Sequence, residues 1–74
     1  MIKDALEAVQ NILREAGLQH LAAQVPVKAH GNAQEVRGRI QIIDGLLRLR
    51  PPPKPVLDRL APSWEALLKD LDGR

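Results

Sequence analysis

The chain has no cysteine, phenylalanine or tyrosine, and a single tryptophan, Trp64. It also lacks threonine, and Ser63 is its one serine. Each absence removes a class of chemistry. Without cysteine there are no disulfides, thiolate zinc sites or thiol nucleophiles. With one hydroxyl side chain, nucleophilic catalysis would rest on Ser63 alone, and Ser63 stands where a helix N-cap belongs. Glycine-rich phosphate loops are missing. No segment is long and apolar enough for a membrane span: the longest uncharged run, residues 16–27, contains Pro26 and falls short of the ~20 residues a span needs. Lys3 and Asp4 interrupt the N-terminus, which does not read as a signal-peptide core. These absences point to a non-enzymatic chain of cytoplasmic or virion location, with no cofactor, metal or small-molecule substrate.

What is present is aliphatic. Ile, Leu and Val supply 22 of the 74 residues. Leucine and alanine favour helix, whereas aromatic and β-branched residues favour strands. The composition predicts an all-α single domain spanning residues 1–74. A chain this short has a marginal core unless something reinforces it. With disulfides and thiolate metal sites excluded, oligomerisation or docking on a partner is the reinforcement left, beside exceptionally good helix packing.

The periodicity predicts three main helices with short extra turns. Residues 2–16 place Ile2, Leu6, Val9, Ile12 and Leu13 on one arc, and Gly17 follows as a left-handed cap. Residues 18–24 make a short second turn that Pro26 ends, and residues 25–31 read as an extended connector. Asn32 caps a long helix over 33–49, with Glu35 at the capping-box position. Glu35 with Arg39, and Asp44 with Arg48, stand at i,i+4 in the favourable order. Pro51, Pro52 and Pro53 stop that helix and form a rigid corner. A further turn is expected over 55–60, a break at Ala61-Pro62-Ser63, and a last helix over 64–71. There Trp64, Leu67, Leu68 and Leu71 share a face, and Gly73 is the cap.

The long helix carries two apolar stripes. Val36, Ile40, Ile43 and Leu47 repeat at four, three and four residues, a coiled-coil-like seam. Ile42, Leu46 and Leu49 form the second stripe, with Arg39 and Arg50 between the two. A surface helix normally needs one stripe. Either the first and last helices of the same chain cover one stripe each, or one stripe meets another chain. Gly38 and Gly45, seven apart, lie on one edge and suggest close approach by another backbone, or are simply tolerated. The candidate contact set is Arg39, Ile42, Leu46, Leu49 and Arg50. Trp64 either anchors an interface or seals the last helix onto the core.

Other constellations are weaker. His20 and His30 lie ten apart across Pro26, without metal-ligand spacing, and read as solvated or partly packed. Asp70 and Asp72 before Gly73 resemble the start of a calcium loop, but the other ligands do not follow. Pro52 to Pro55 is a PxxP without a basic residue at a recognised offset, so a structural corner is the better reading. Net charge is +2, but residues 25–60 hold seven basic side chains against three acidic. Arg37, Gln41 and Arg48 line one face and make nucleic-acid binding the alternative function. Asp44 in the middle of that face and the lack of stacking aromatics count against it.

The stretch from Glu35 to Leu49, EVRGRIQIIDGLLRL, followed by prolines, resembles a segment of small helical proteins encoded by tailed bacteriophages, in which a GRI…LL-L-P pattern closes a long helix. It covers about a fifth of the chain. The resemblance implies a virion-assembly or head–tail component that packs against larger partners, and it transfers no binding residues. Protein contact, with a partner or as a homo-oligomer, is thus the leading expectation.

Overall fold

A computed structural model describes residues 2–72 and contains four helices: α1 (Ile2–Glu15), α2 (Gln19–Ala22), α3 (Ala33–Leu49) and α4 (Lys54–Asp72). No strand occurs among the described residues. α1 buries Ile2, Leu6, Val9 and Leu13, the arc its periodicity predicts. Its end is built by Gly17 at φ 80°. The Leu18 amide donates to the Leu13 carbonyl at 2.9 Å, and that of Gly17 to Arg14 at 3.1 Å. This is a Schellman cap, in which glycine takes the left-handed conformation without a Cβ penalty.

The connector after α2 is not extended, as the sequence suggests, but wound into successive turns. The amides of Val27, Ala29 and Asn32 donate to the carbonyls of Val25, Pro26 and Ala29. Backbone polar groups near a core must find partners, and tight turns supply them locally. Val25 is thereby buried. The Gln10 side chain donates to the Ala22 carbonyl at 3.1 Å, tying α1 to the end of α2.

α3 has its predicted bounds. The Asn32 side chain accepts from the Glu35 amide at 3.1 Å, the N-cap bond expected of it. The Asn32 amide is taken by Ala29, so the capping box forms on one side only.

The C-terminal region departs most from expectation. α4 runs unbroken from Lys54 to Asp72 with Pro62 inside it. The separate turn over 55–60 and the break at Ala61-Pro62-Ser63 do not exist, and Ser63 lies in the helix interior instead of capping a new one. Two features start the helix well before that proline. The Pro53 carbonyl accepts from the Leu57 amide, and Pro55 sits in the first turn, where its fixed φ suits a helix start. Leu60, Trp64, Leu67 and Leu71 then repeat at four, three and four residues. That apolar seam crosses Pro62, which is itself exposed, so burial on both sides holds the helix together despite one lost backbone bond. Leu68 is 41% exposed and lies off the face assigned to it. The expected Gly73 cap lies outside the described residues.

Fourteen side chains from all four helices and the connector form one core cluster. The radius of gyration is 11.2 Å, in line with the ~11 Å expected for a compact chain of this length. The Arg59–Glu15 ion pair at 2.7 Å ties α4 to the end of α1. A chain this size holds roughly 4–11 kcal/mol of stability. Leu67 is fully buried, so Leu67→Ala is expected to remove about 2–5 kcal/mol, a large share of it. Urea denaturation would measure this, and a loss below about 0.5 kcal/mol, typical of a surface change, would show that the half of α4 after Pro62 does not carry the core.

Candidate interaction surface

α3 uses one of its two stripes for folding. Val36, Ile40, Ile43 and Leu47 are buried and belong to the same core cluster as the buried residues of α1 and α4. The division of labour in which the C-terminal helix covers the second stripe is not what the fold adopts. Ile42, Leu46 and Leu49 are exposed by 52%, 37% and 79%. The seam spacing explains this. A four-three-four repeat presents a stripe narrow enough for one shared core, so residues a third of a turn away remain outside.

The exposed stripe is not isolated. Leu46, Leu49 and Arg50 meet Leu18, His20 and Leu21 along a groove of about 340 Å³ between α3 and α2. On the other flank, a groove of about 360 Å³ is lined by Asp44, Leu47, Arg48, Pro51, Leu57 and Trp64, among others. The C-terminal half of α3 therefore stands as a ridge between two mainly apolar grooves. Trp64 is half-buried, packed on the core as the sealing role expects, and it also lines the second groove. Sequence periodicity missed both grooves. Leu18 and Leu21 reach α3 only through the Gly17 turn, and Leu57 reaches it only through the proline corner.

The arginines separate. Arg50 borders the α2–α3 groove. Arg39 instead lines a hollow against the connector, with Gln10, Pro26 and Glu35. Glu35 and Arg39 do not close an ion pair, whereas Asp44 and Arg48 do, at 3.0 Å. Of the alternative nucleic-acid face, Gln41 is exposed without a recorded bond. Arg48 is held by Asp44, and the Arg37 guanidinium donates to the Leu71 carbonyl at 2.9 Å. Arg37 thus places positive charge at the C-terminal end of α4, where it favours the helix dipole. His30 contacts the Val27 carbonyl through Nδ1, and His20 is exposed beside Leu46 and Leu49. Among the described residues no group of three His, Asp or Glu side chains has metal-site geometry. No helix among them is long and apolar enough to cross a membrane.

Gly38 and Gly45 lie on the outer face of α3. A Cβ built on either meets nothing within 4 Å. Among the described residues no other backbone approaches them, so the packing described gives no reason for them. Each costs about 1 kcal/mol relative to alanine in a helix interior.

The chain matches no protein-family model, no curated protein and no solved structure.

The two arginines of the basic face are expected to behave differently. Arg37→Ala should cost about 1 kcal/mol and speed amide exchange in the last turn of α4. Arg48→Ala, which removes an exposed i,i+4 pair, should stay within about 0.5 kcal/mol of neutral. Denaturation curves with hydrogen exchange check both, and equal costs would contradict the structural role of Arg37.

Proposed function

We propose that this chain is a non-enzymatic contact protein that acts by burying the exposed stripe of α3 on another protein surface, a larger partner or a copy of itself. The observation that carries this reading is the exposure of Ile42, Leu46 and Leu49 on a helix whose other stripe suffices for the core. Single exposed aliphatics are ordinary, but aligned ones beside two apolar grooves form a contiguous patch of the kind that marks an interaction site. Arg50 at one end and Trp64 in the flanking groove supply side chains that interfaces favour. The resemblance of residues 35–49 to small proteins of tailed bacteriophages suggests the setting, a virion-assembly or head–tail component. The nucleic-acid reading has less support, because Arg37 and Arg48 are already bonded within the chain.

The test is Ile42→Asp with Leu46→Asp. Neither side chain is part of the core, so helix content and cooperative unfolding should persist. In the genome that encodes the chain, the folded double variant should reproduce the phenotype of deleting the gene. Full function in the folded variant would overturn the reading, and so would unfolding, which would assign the stripe to the fold. Nucleic-acid binding would instead show as an affinity that falls steeply with salt.

A further inference from the structure

Two hollows follow one another along a single flank of α3, because α2 and the connector run beside that helix in the opposite direction. Leu18, His20 and Leu21 face Leu46, Leu49 and Arg50 across a hollow of about 340 Å³. Further along, Val25, Val27 and Lys28 face Glu35 and Arg39 across a hollow of about 480 Å³. Arg39, Leu46 and Arg50 fall within about 40° of one another around α3, and the two arginines are about 17 Å apart along it. The charge of this flank is one-sided. Between Glu15 and Asp44 the sequence holds one acidic residue, Glu35, so α2 and the connector contribute none. Lys28, Arg39 and Arg50 are exposed. Among the described residues neither arginine forms an ion pair or a side-chain hydrogen bond, whereas Arg37 and Arg48 of the same helix are both bonded.

We infer that this flank is a docking trough for an acidic, amphipathic segment of a partner protein. The inference rests on the contact reading above and gives the partner its chemistry. Aliphatic side chains of the segment enter the hollow between α2 and α3, against Leu18, Leu21 and Leu46. Its carboxylates meet Arg50 and the His20 imidazole at one end, and Arg39 and Lys28 at the other. Guanidinium groups suit this task, since their planar fork takes a carboxylate with two bonds. A helix lying in such a groove presents anchors on successive turns, and carboxylates about eleven residues apart on it match the ~17 Å between the arginines. Glu35 borders the Arg39 end and offsets part of its charge, so the Arg50 end attracts more strongly. A flat bilayer surface cannot fill a concave aliphatic hollow. Nucleic acid would find phosphate partners here but no aromatic platform for its bases.

The probe is a ribosome-displayed library of random peptides of about 16 residues, long enough to span the trough as a helix, selected on the immobilised full chain. Enriched sequences should carry more Asp and Glu than Lys and Arg, with Leu, Ile or Val at every third or fourth position. Arg39→Glu with Arg50→Glu should weaken their binding at least about tenfold, and selection on that variant should enrich basic peptides instead. Arg39→Lys with Arg50→Lys, which keeps the charge, should bind the acidic peptides far better than the reversed variant. Both positions are exposed, so helix content should persist in both variants. No enrichment, enriched peptides without an acidic excess, or binding indifferent to the charge reversal overturns the inference. Tighter binding of an oligothymidine or of phosphatidylserine vesicles, lost on charge reversal, also overturns it and assigns the trough to nucleic acid or membrane. If the charge reversal leaves function intact in the encoding genome while Ile42→Asp with Leu46→Asp abolishes it, the acidic partner falls and the contact reading stands.

Discussion

The buried stripe of α1 is the surface on which the other helices converge. Ile2, Leu6, Val9 and Leu13 run its length, and with the seams of α3 and α4 they form one aliphatic cluster. Leu21, Ala22 and Val25 close one end. No aromatic side chain is fully buried, so the core depends on the interdigitation of Leu, Ile and Val, whose shapes mesh when they repeat at four and three residues. Polar links at the periphery then hold the helices in register. Arg59 reaches Glu15, Arg37 reaches Leu71, and Gln10 reaches Ala22. None of these carries a buried charge, and no described side-chain polar atom is buried without a partner.

That economy has a consequence for the surface. Because one narrow stripe of α3 is enough to join the core, the other apolar stripe of the helix stays outside it. The outer face of α3 still carries Ile42, Leu46 and Leu49, and two glycines that weaken the helix and meet no close neighbour among the described residues. Features that the core does not require and that cost stability or solubility are what the proposed contact rests on. The contact proposed for this chain would fall on the ridge between the two apolar grooves, where those side chains are concentrated.

Much of the architecture was legible in the residues. Asn32, the glycine at 17 and the proline triplet mark helix ends through local stereochemistry, and the ends fall where they predict. The second apolar stripe of α3 was legible too, since the positions of Ile42, Leu46 and Leu49 follow from helical geometry. The reading failed where local and non-local forces conflict. Pro62 argues for a break, but Leu60, Trp64, Leu67 and Leu71 repeat across it, and their shared burial outweighs one missing hydrogen bond. The connector was misjudged because its turns depend on backbone bonds rather than on side-chain pattern. On the basic face of α3, Arg37 is drawn to a carbonyl 34 residues away, a partner that no local pattern reveals.

The sequence by itself determined that the chain is helical, where α1 and α3 begin and end, and that α3 has more apolar surface than one neighbour requires. These follow from propensity, capping and a 3.6-residue period, all of which act within a few residues. Only the tertiary structure decided which of the two stripes is buried, that α4 continues through its proline, and that Leu18, Leu21, Leu57 and Trp64 frame the exposed ridge. Those outcomes depend on contacts between segments far apart in the chain. Which stripe wins a place in the core is settled by how well it meshes with α1 and α4 together, and that fit exists only once the helices are packed.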